Sequence, residues 1–248
     1  MGVQMSISER QKQIVEILNE RTYISVNELS KLTFTSTSSI RRDLTYLQDN
    51  GIVKRLHGGV TLSEVVNNVA SFYDRARKNV KEKRIIAQKA ASLLKDGQSI
   101  LLDSSTTATF LLPYIAKFHG ITLFTNNLST ALKAIELGIN TTCLGGHSIN
   151  GSPSLSGPET FNALNDITVD IIFFSSQSLD INGNISDSTE ENNFVRKVML
   201  NSSKIKAFLC DSGKFYTNST YKLCSLNDID YAIFDEECKG LNTNCKLL

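Results

Sequence analysis

The stretch TFTSTSSIRRDLTYLQDNGIVKRLHGGV, residues 33–60, decides how the first third of the chain folds. Ser36 is a favoured N-cap type and Gly51 a favoured helix stop, so the residues between them read as one helix. On a helical wheel Ile40, Leu44 and Leu47 share one face. Arg42 lies nearly opposite, with Ser38, Thr45 and Tyr46 near it and Arg41 on the flank. Such a helix buries one side and presents small hydroxyls and a guanidinium on the other. That distribution suits a DNA major groove, where Arg pairs with guanine and short polar side chains admit close approach. After Gly51, IVKRLHGGV reads as a strand, a turn at Gly58–Gly59 and a returning strand from Val60. Lys54, Arg55 and His57 crowd this hairpin, which reads as a wing for phosphates or the neighbouring minor groove. The expected DNA contacts are therefore Ser36, Thr37, Ser38, Ser39, Arg41, Arg42, Thr45, Lys54, Arg55 and His57. A small helical interaction module with a solvated Arg-Arg pair would explain the helix but not the wing.

Upstream, Ser8 with Gln11 and Ser25 with Glu28 form capping boxes, in which the hydroxyl accepts from a free backbone N–H and the longer side chain reaches back. They predict a helix over 9–19, with Ile14, Ile17 and Leu18 as its apolar stripe, and a short helix through Val26, Leu29 and Leu32. Gly2 and Ser6 satisfy the myristoylation pattern M-G-x-x-x-S, but so short a pattern reads better as a leader ahead of Ser8.

The chain has 248 residues, 41% of them hydrophobic, enough for one or two domains with real cores. No window approaches the roughly 18 to 20 uncharged apolar residues of a membrane helix, and the start lacks the apolar run of a signal peptide. A soluble, unexported protein is expected. Cys143, Cys210, Cys224, Cys238 and Cys245 are odd in number and widely spaced, which fits free thiols in a reducing cytoplasm better than a disulfide scaffold or zinc ribbon. The net charge of +1 conceals an asymmetry: residues 1–84 hold 14 basic and 9 acidic side chains, and the remainder 12 and 16. A basic module for a polyanion, carried by a mildly acidic body, follows from that split.

From Lys81 the pattern alternates. KRIIAQKAASLL reads as helix, QSILLD as strand, TTATFLLPYIA as helix, ITLFT as strand and LSTALKAIELG as helix, with further strands at TTCLG, VDIIFFSS, KAFLCD and YAIFD. Strands separated by helices imply βαβ units and a largely parallel sheet covered on both faces. Ligands of such sheets bind beyond the C-terminal strand ends, often where free backbone N–H groups favour phosphate. Hydroxyl-rich and glycine segments recur there: Asp103, Ser104, Ser105, Thr106 and Thr107 after the first strand, Thr125 and Asn126 after the second, and Gly145 and Gly146 after the third. Ser156, Gly157 and Lys214 are placed to complete an anion pocket. Each fragment alone is weak, because Ser, Thr and Asn also cap helices.

The first module resembles the DeoR family of bacterial transcription regulators. SVNELSKL and SSIRRDLTYLQDNGIVKRLHGG follow the family's S-x-x-T-I-R-R-D-L recognition helix and G-x-x-x-R-x-H-G-G wing, with Ser39 in place of Thr and Thr33-Phe34-Thr35 in place of an apolar-Gly-Val turn. The second half is similar to that family's sensor domain, through LDSSTT, TNN, LGG and CDSGKF. Ser105 stands where the family has a loop glycine, and FFSSQSLDINGN replaces a more Gly-rich segment. The resemblance implies an N-terminal winged helix-turn-helix at 6–61, a linker at 62–80 and a Rossmann-like α/β effector domain at 81–248, similar in fold to ribose-phosphate isomerase. It further implies double-stranded operator DNA and a phosphorylated sugar effector as partners, and most readily a repressor. Because one recognition helix reads few bases, a homodimer or tetramer is expected.

Two alternatives remain open: a sugar-phosphate isomerase-like enzyme, or a transcription activator without a sugar-phosphate ligand. An isomerase needs a base near a carbon-bound proton, and Asp103, Glu159, Asp187 and Glu190 are candidates by type alone. Nothing in their spacing marks one of them, and fold similarity does not transfer activity. His57, His119 and His147 are isolated, without metal-ligand spacing. No catalytic residue, metal or cofactor is expected.

Overall fold

Of the predicted apolar positions, Ile14, Leu18, Leu29, Ile40, Leu44 and Leu47 close into one core with Ile24, Val53, Val60 and Leu62, Ile17 and Val26 pack at its edge, and Leu32 is exposed at the end of its helix instead. Around it lie α1 (Glu9–Glu20), β1 (Ile24–Ser25), α2 (Val26–Leu32), α3 (Thr37–Asp49), β2 (Val53–Leu56) and β3 (Gly59–Leu62). The computed structural model describes residues 8–21, 23–56, 59–63 and 72–248; Gly2, Ser6, His57 and Gly58 therefore lie outside the described residues. Both capping boxes form: Ser8 Oγ accepts from the Gln11 amide at 3.2 Å, and Ser25 Oγ from that of Glu28 at 3.2 Å. Gly51, at φ +69°, ends α3. Its amide donates to the Gln48 carbonyl, and that of Ile52 to the Leu47 carbonyl, the paired closure that the left-handed residue permits.

The wing differs from the expected hairpin in two ways. Strand β1, unforeseen in the sequence, pairs with β3, giving a three-stranded antiparallel sheet in the order β1-β3-β2. Gly59 belongs to a strand rather than to the turn, pairing with Leu56 on one side and Ser25 on the other. A Cβ there would meet the Ile24 carbonyl and the Tyr23 ring at about 2.5 Å, so only glycine fits between these strands.

The chain divides into two compact units, Met1–Ser71 and Phe72–Leu248. In the second, residues 72–77 are helical and are followed by α4 (Val80–Ala90), β4 (Ser99–Leu102), α5 (Thr106–Thr109), α6 (Leu112–Ile115), β5 (Thr122–Thr125), α7 (Leu128–Glu136) and β6 (Asn140–Cys143). Then come β7 (His147–Ser148), β8 (Leu155–Ser156), α8 (Pro158–Asn165), β9 (Val169–Phe174), β10 (Ser178–Leu179) and β11 (Asn184–Asp187). The last elements are α9 (Glu190–Asn201), β12 (Ser203–Cys210), β13 (Tyr221–Ser225), β14 (Tyr231–Phe234) and β15 (Lys246–Leu247).

Among the described residues the main sheet has seven strands, all parallel, in the order β15-β14-β12-β9-β4-β5-β6. Alternate side chains of the inner strands feed two cores. Ile100, Leu102 and Phe173 pack with Ile86, Ala87 and Ala90 of α4, whereas Leu101, Ile172 and Phe174 pack with Leu164, Val195 and Met199. Burial on both faces explains the near-continuous apolar runs of these strands. The chain builds outward from β4 through β5 to β6, then returns to place β9 on the other side of β4. The winding reverses between β4 and β9, and a crevice opens at the C-terminal strand ends there.

Residues 106–116, expected as one helix, form two short ones. Pro113 in the first turn of α6 has no amide to donate back to the preceding turn, so the helix restarts instead of continuing. The segment expected as a linker, 62–80, begins with Leu62 buried in β3 and ends in ordered backbone: Phe72 is buried in the helical run, and Val80 opens α4.

Candidate functional site

On the N-terminal unit, Ser36, Thr37, Ser38, Arg41, Arg42, Thr45, Lys54 and Arg55 are exposed, and Ser39 is half-buried. Ser36 caps α3 by accepting from the Ser39 amide at 3.3 Å, and Thr45 donates back to the Arg41 carbonyl at 2.9 Å, so these two hydroxyls also serve the helix itself. Arg41 and Arg42 project from α3, and Lys54 and Arg55 from β2 of the wing. Asp43, next to that arginine pair, turns inward. It accepts from Arg10 Nε at 2.5 Å, Arg10 Nη2 at 3.1 Å and Gln11 Nε2 at 3.3 Å. This contact fixes α1 against α3 and thereby the pose of the exposed arginines; the sequence offers no local signal for it, since its ends are 33 residues apart.

In the C-terminal unit Asp103, directly after β4, is fully buried. Its Oδ1 accepts from the Ser105 amide at 3.1 Å and from the Ser105 hydroxyl, and its Oδ2 from Arg196 Nε at 2.8 Å and the Ser175 amide at 3.3 Å. Arg196 Nη1 donates to Asp187 Oδ2 at 2.7 Å. Burial pushes the Asp187 carboxyl up, but the Arg196 charge and its hydrogen bonds outweigh this and hold it below the usual carboxylate range. Asp103 and Asp187, two of the candidate bases, are thus both committed to one buried guanidinium.

Beside this cluster lies a cavity of about 180 Å³. Arg75, Lys78 and Asn79 line it from the segment ahead of α4, Lys83 from α4, Thr106 from α5, and Asp211, Gly213 and Lys214 from the turn after β12. Lys214 Nζ donates to Ser175 Oγ at 3.0 Å and lies 3.1 Å from Asp211 Oδ2, while Asn79 Nδ2 donates to Asp211 Oδ1 at 2.7 Å. Burial, with the Lys214 and Arg75 charges adding to it, pushes the Lys83 amine down to about 8. Burial also raises the Asp211 carboxyl, but Lys214 and the Asn79 contact outweigh it and leave the group below its ordinary value. A small, cation-rich hollow at a strand end is suited to an anion.

Thr106 and Lys214 are the anticipated pocket residues that line this hollow; Arg75, Lys78, Asn79, Lys83 and Asp211 were not anticipated. The remaining anticipated positions make contacts of their own. Ser104 and Thr107 are buried, and the Ser104 carbonyl accepts from Asn127 Nδ2 at 3.4 Å. Ser105 caps α5. Thr125 Oγ1 accepts from the Asn127 amide at 3.2 Å, and Asn126 Nδ2 donates to the Leu155 carbonyl at 2.9 Å. Gly145 offers its carbonyl to Thr160. Gly146 and Gly157, both at positive φ, pack against the backbone of Ser156 and the ring of His147. A larger groove of about 830 Å³ runs between α4, α6 and α7, with Ile85, Phe110, Pro113 and Tyr114 on its walls, away from the strand ends. Among the described residues no cluster of His, Cys, Asp and Glu is placed to hold a metal ion, and no helix is long and apolar enough to cross a membrane.

The DeoR-like helix-turn-helix domain matches residues 10–65, and the DeoR C terminal sensor domain matches residues 78–236. The HTH-type transcriptional regulator GolR of Listeria innocua is 32% identical over 92% of this chain and 91% of its own length. A putative aga operon transcriptional repressor of Escherichia coli O157:H7 is 29% identical over 92% and 86%. Among solved structures, a ribose 5-phosphate isomerase from Plasmodium falciparum aligns with 55% of this chain and 53% of its own at a TM-score of 0.41 and 24% identity. With two matched domains spanning most of its length and full-length relatives that are transcriptional regulators rather than enzymes, the chain belongs to the DeoR family of helix-turn-helix transcriptional regulators.

Proposed function

We propose that the protein represses genes of sugar or carbohydrate metabolism, and that a phosphorylated sugar bound at the C-terminal edge of the parallel sheet controls its hold on operator DNA. The observation that carries this reading is the convergence of Arg75, Lys78, Lys83 and Lys214 on one small cavity beside the β4–β9 reversal, with Asp211 and Thr106 to accept or donate to sugar hydroxyls. The name of the aga operon repressor supports the sugar-operon assignment. Control is a linkage: an effector with higher affinity for one conformational state draws the population away from the DNA-competent one. The DNA contacts fall to the exposed face of α3, where Arg41 and Arg42 flank the small hydroxyls of Thr37 and Ser38, and to Lys54 and Arg55 of the wing. The DNA-bound form is a homodimer or tetramer reading paired half-sites.

Fluorescence anisotropy against DNA from upstream of the gene, at two salt concentrations and with a panel of sugar phosphates, tests both halves. Tight, salt-dependent and selective binding that one sugar phosphate weakens is the expected result. Selective binding indifferent to every phosphate in the panel would remove the effector assignment. Binding strengthened by one would replace repression relieved by the effector with co-repression.

A further inference from the structure

The cavity is built in part from the segment that joins the sensor unit to the rest of the chain. Residues 72–77 are one short helical run, and its terminal carbonyls need partners from outside it. Lys83 supplies one: its Nζ donates to the Arg75 carbonyl and, at 2.7 Å, to that of Lys78. Lys83 is almost wholly buried and is itself a wall of the cavity. A second fastening lies next to it. Asn79 sits at φ +52°, a conformation that costs a non-glycine residue about 1 kcal/mol, and makes no side-chain cap for α4. Its amide reaches Asp211 instead, and a Cβ on Gly213 would lie 3.1 Å from it, so the segment rests flush on the turn that carries Lys214.

We propose that Lys83 is a two-way contact: its ammonium holds either the Arg75 and Lys78 carbonyls or a phosphate in the cavity, so that filling the cavity releases residues 72–78. This rests on the reading that the cavity takes a phosphorylated ligand. The physical reason is competition for one desolvated cation. A phosphate oxygen carries a negative charge that a backbone carbonyl lacks, so the attraction of the desolvated ammonium for it exceeds that for either carbonyl. The Asn79 contact with Asp211 uses the other carboxylate oxygen and does not involve Lys83, so what a phosphate releases is the helical run whose carbonyls Lys83 holds. The segment leads back in the chain to the DNA-binding unit, so its release is the conformational difference that the linkage needs.

Hydrogen exchange of the full chain, followed by mass spectrometry with and without inorganic phosphate, tests this directly. The expected result is protection of amides over 211–214 on adding phosphate, together with about tenfold faster exchange over 72–83, the change expected when one charge-assisted contact is lost. Lys83→Met keeps the methylenes and removes the ammonium. It should show the fast exchange over 72–83 without phosphate and no further response to phosphate in that segment. If Lys83→Met fails to fold by circular dichroism, Asn79→Gly, which tolerates the positive φ, should loosen 72–79 while phosphate still protects 211–214. Protection of 211–214 with unchanged or slower exchange over 72–83 overturns the coupling and leaves the ligand reading standing. Absence of protection at 211–214 removes the ligand reading, and the coupling with it.

Discussion

Arg196 on α9 and Asp103 at the end of β4 lie 93 residues apart in the chain and meet at 2.8 Å with neither exposed to solvent. The same guanidinium holds Asp187, so one cation compensates two buried carboxylates and ties β4, β11 and α9 together at the crevice. Breaking such a cluster by removing one member strands a buried charge, at a cost of about 3 to 5 kcal/mol. Arg196→Met should therefore lower the urea unfolding free energy of the sensor unit by that amount. The acid limb gives an independent reading. The folded Asp187 carboxyl lies below its unfolded value, so its stabilising contribution is present above the unfolded value near 3.9 and is lost as pH falls through the folded one. Without Arg196 burial acts on that carboxyl without its main counter-charge and moves it upward, so Arg196→Met should lose most stability above the unfolded value and progressively less as pH falls below it. A stability difference from the parent protein that is the same at every pH would show that the Arg196–Asp187 contact contributes nothing to the fold.

Asp43 shows the same logic in the DNA-binding unit. It sits inside the R-R-D run of α3 but faces α1, where Arg10 and Gln11 donate to it. Asp43→Ala leaves the buried Gln11 amide without this acceptor while the exposed Arg10 turns to water, and should lower the denaturation midpoint of the unit measurably. Once folding is restored at low temperature, operator sequence preference should be retained, because Asp43 does not reach the exposed face. A changed base preference with unchanged stability would move Asp43 into the reading surface.

These two residues mark the limit of what the sequence discloses. Features with local causes were legible: capping boxes at Ser8 and Ser25, the stop at Gly51, the apolar stripe of α3 and the buried runs of β4 and β9. Hydroxyls at strand ends were legible too, but Ser105 and Asn127 prove to spend side-chain oxygens capping α5 and α7, which residue type alone does not separate from ligand binding. Contacts between distant residues leave no local trace. Arg196 in ENNFVRKVML reads as one charge on an amphipathic helix, and Lys83 as one of several in KNVKEKR, until the fold brings Asp103, Asp187, Arg75 and Lys78 to them.

Gly146 separates packing from phosphate cradling. At φ +119° a Cβ on it would lie 2.3 Å from the Ser156 carbonyl oxygen and 2.4 Å from Thr160 Oγ1. Gly145 lacks the positive φ and would meet only Glu159 Cβ at 3.3 Å. Gly146→Ala should cost about 1 to 3 kcal/mol of sensor-unit stability, and Gly145→Ala much less. Equal thermal shifts for the two variants would contradict the packing role.

The reading face divides by contact type. Arg42→Ala should cost about 1 to 3 kcal/mol of specific operator binding and relax one base preference. Lys54→Ala in the wing should weaken binding to all sequences and lower the salt slope by about one. Anisotropy titrations over a salt series measure both. An unchanged slope for Lys54→Ala would exclude a phosphate contact, and unchanged preference for Arg42→Ala would take it off the bases.

Leu128, Leu132 and Ile135 on α7 are each at least half exposed and recur at spacings of four and three, so they form one apolar stripe along the helix. The dimer proposed above would bury this stripe by packing α7 of one sensor unit against α7 of a second copy about a two-fold axis, and two DNA-binding units joined in this way would read paired half-sites. Leu132→Glu places a charge at the centre of the stripe without touching the buried face of α7, so the protomer should keep its thermal stability. Sedimentation velocity should then show the dimer constant weakened by about 10 to 100-fold, or roughly 1.4 to 2.8 kcal/mol. Operator binding should become steeper in protein concentration, because dimerisation and DNA binding now occur together. An unchanged dimer in Leu132→Glu would place the contact on another surface.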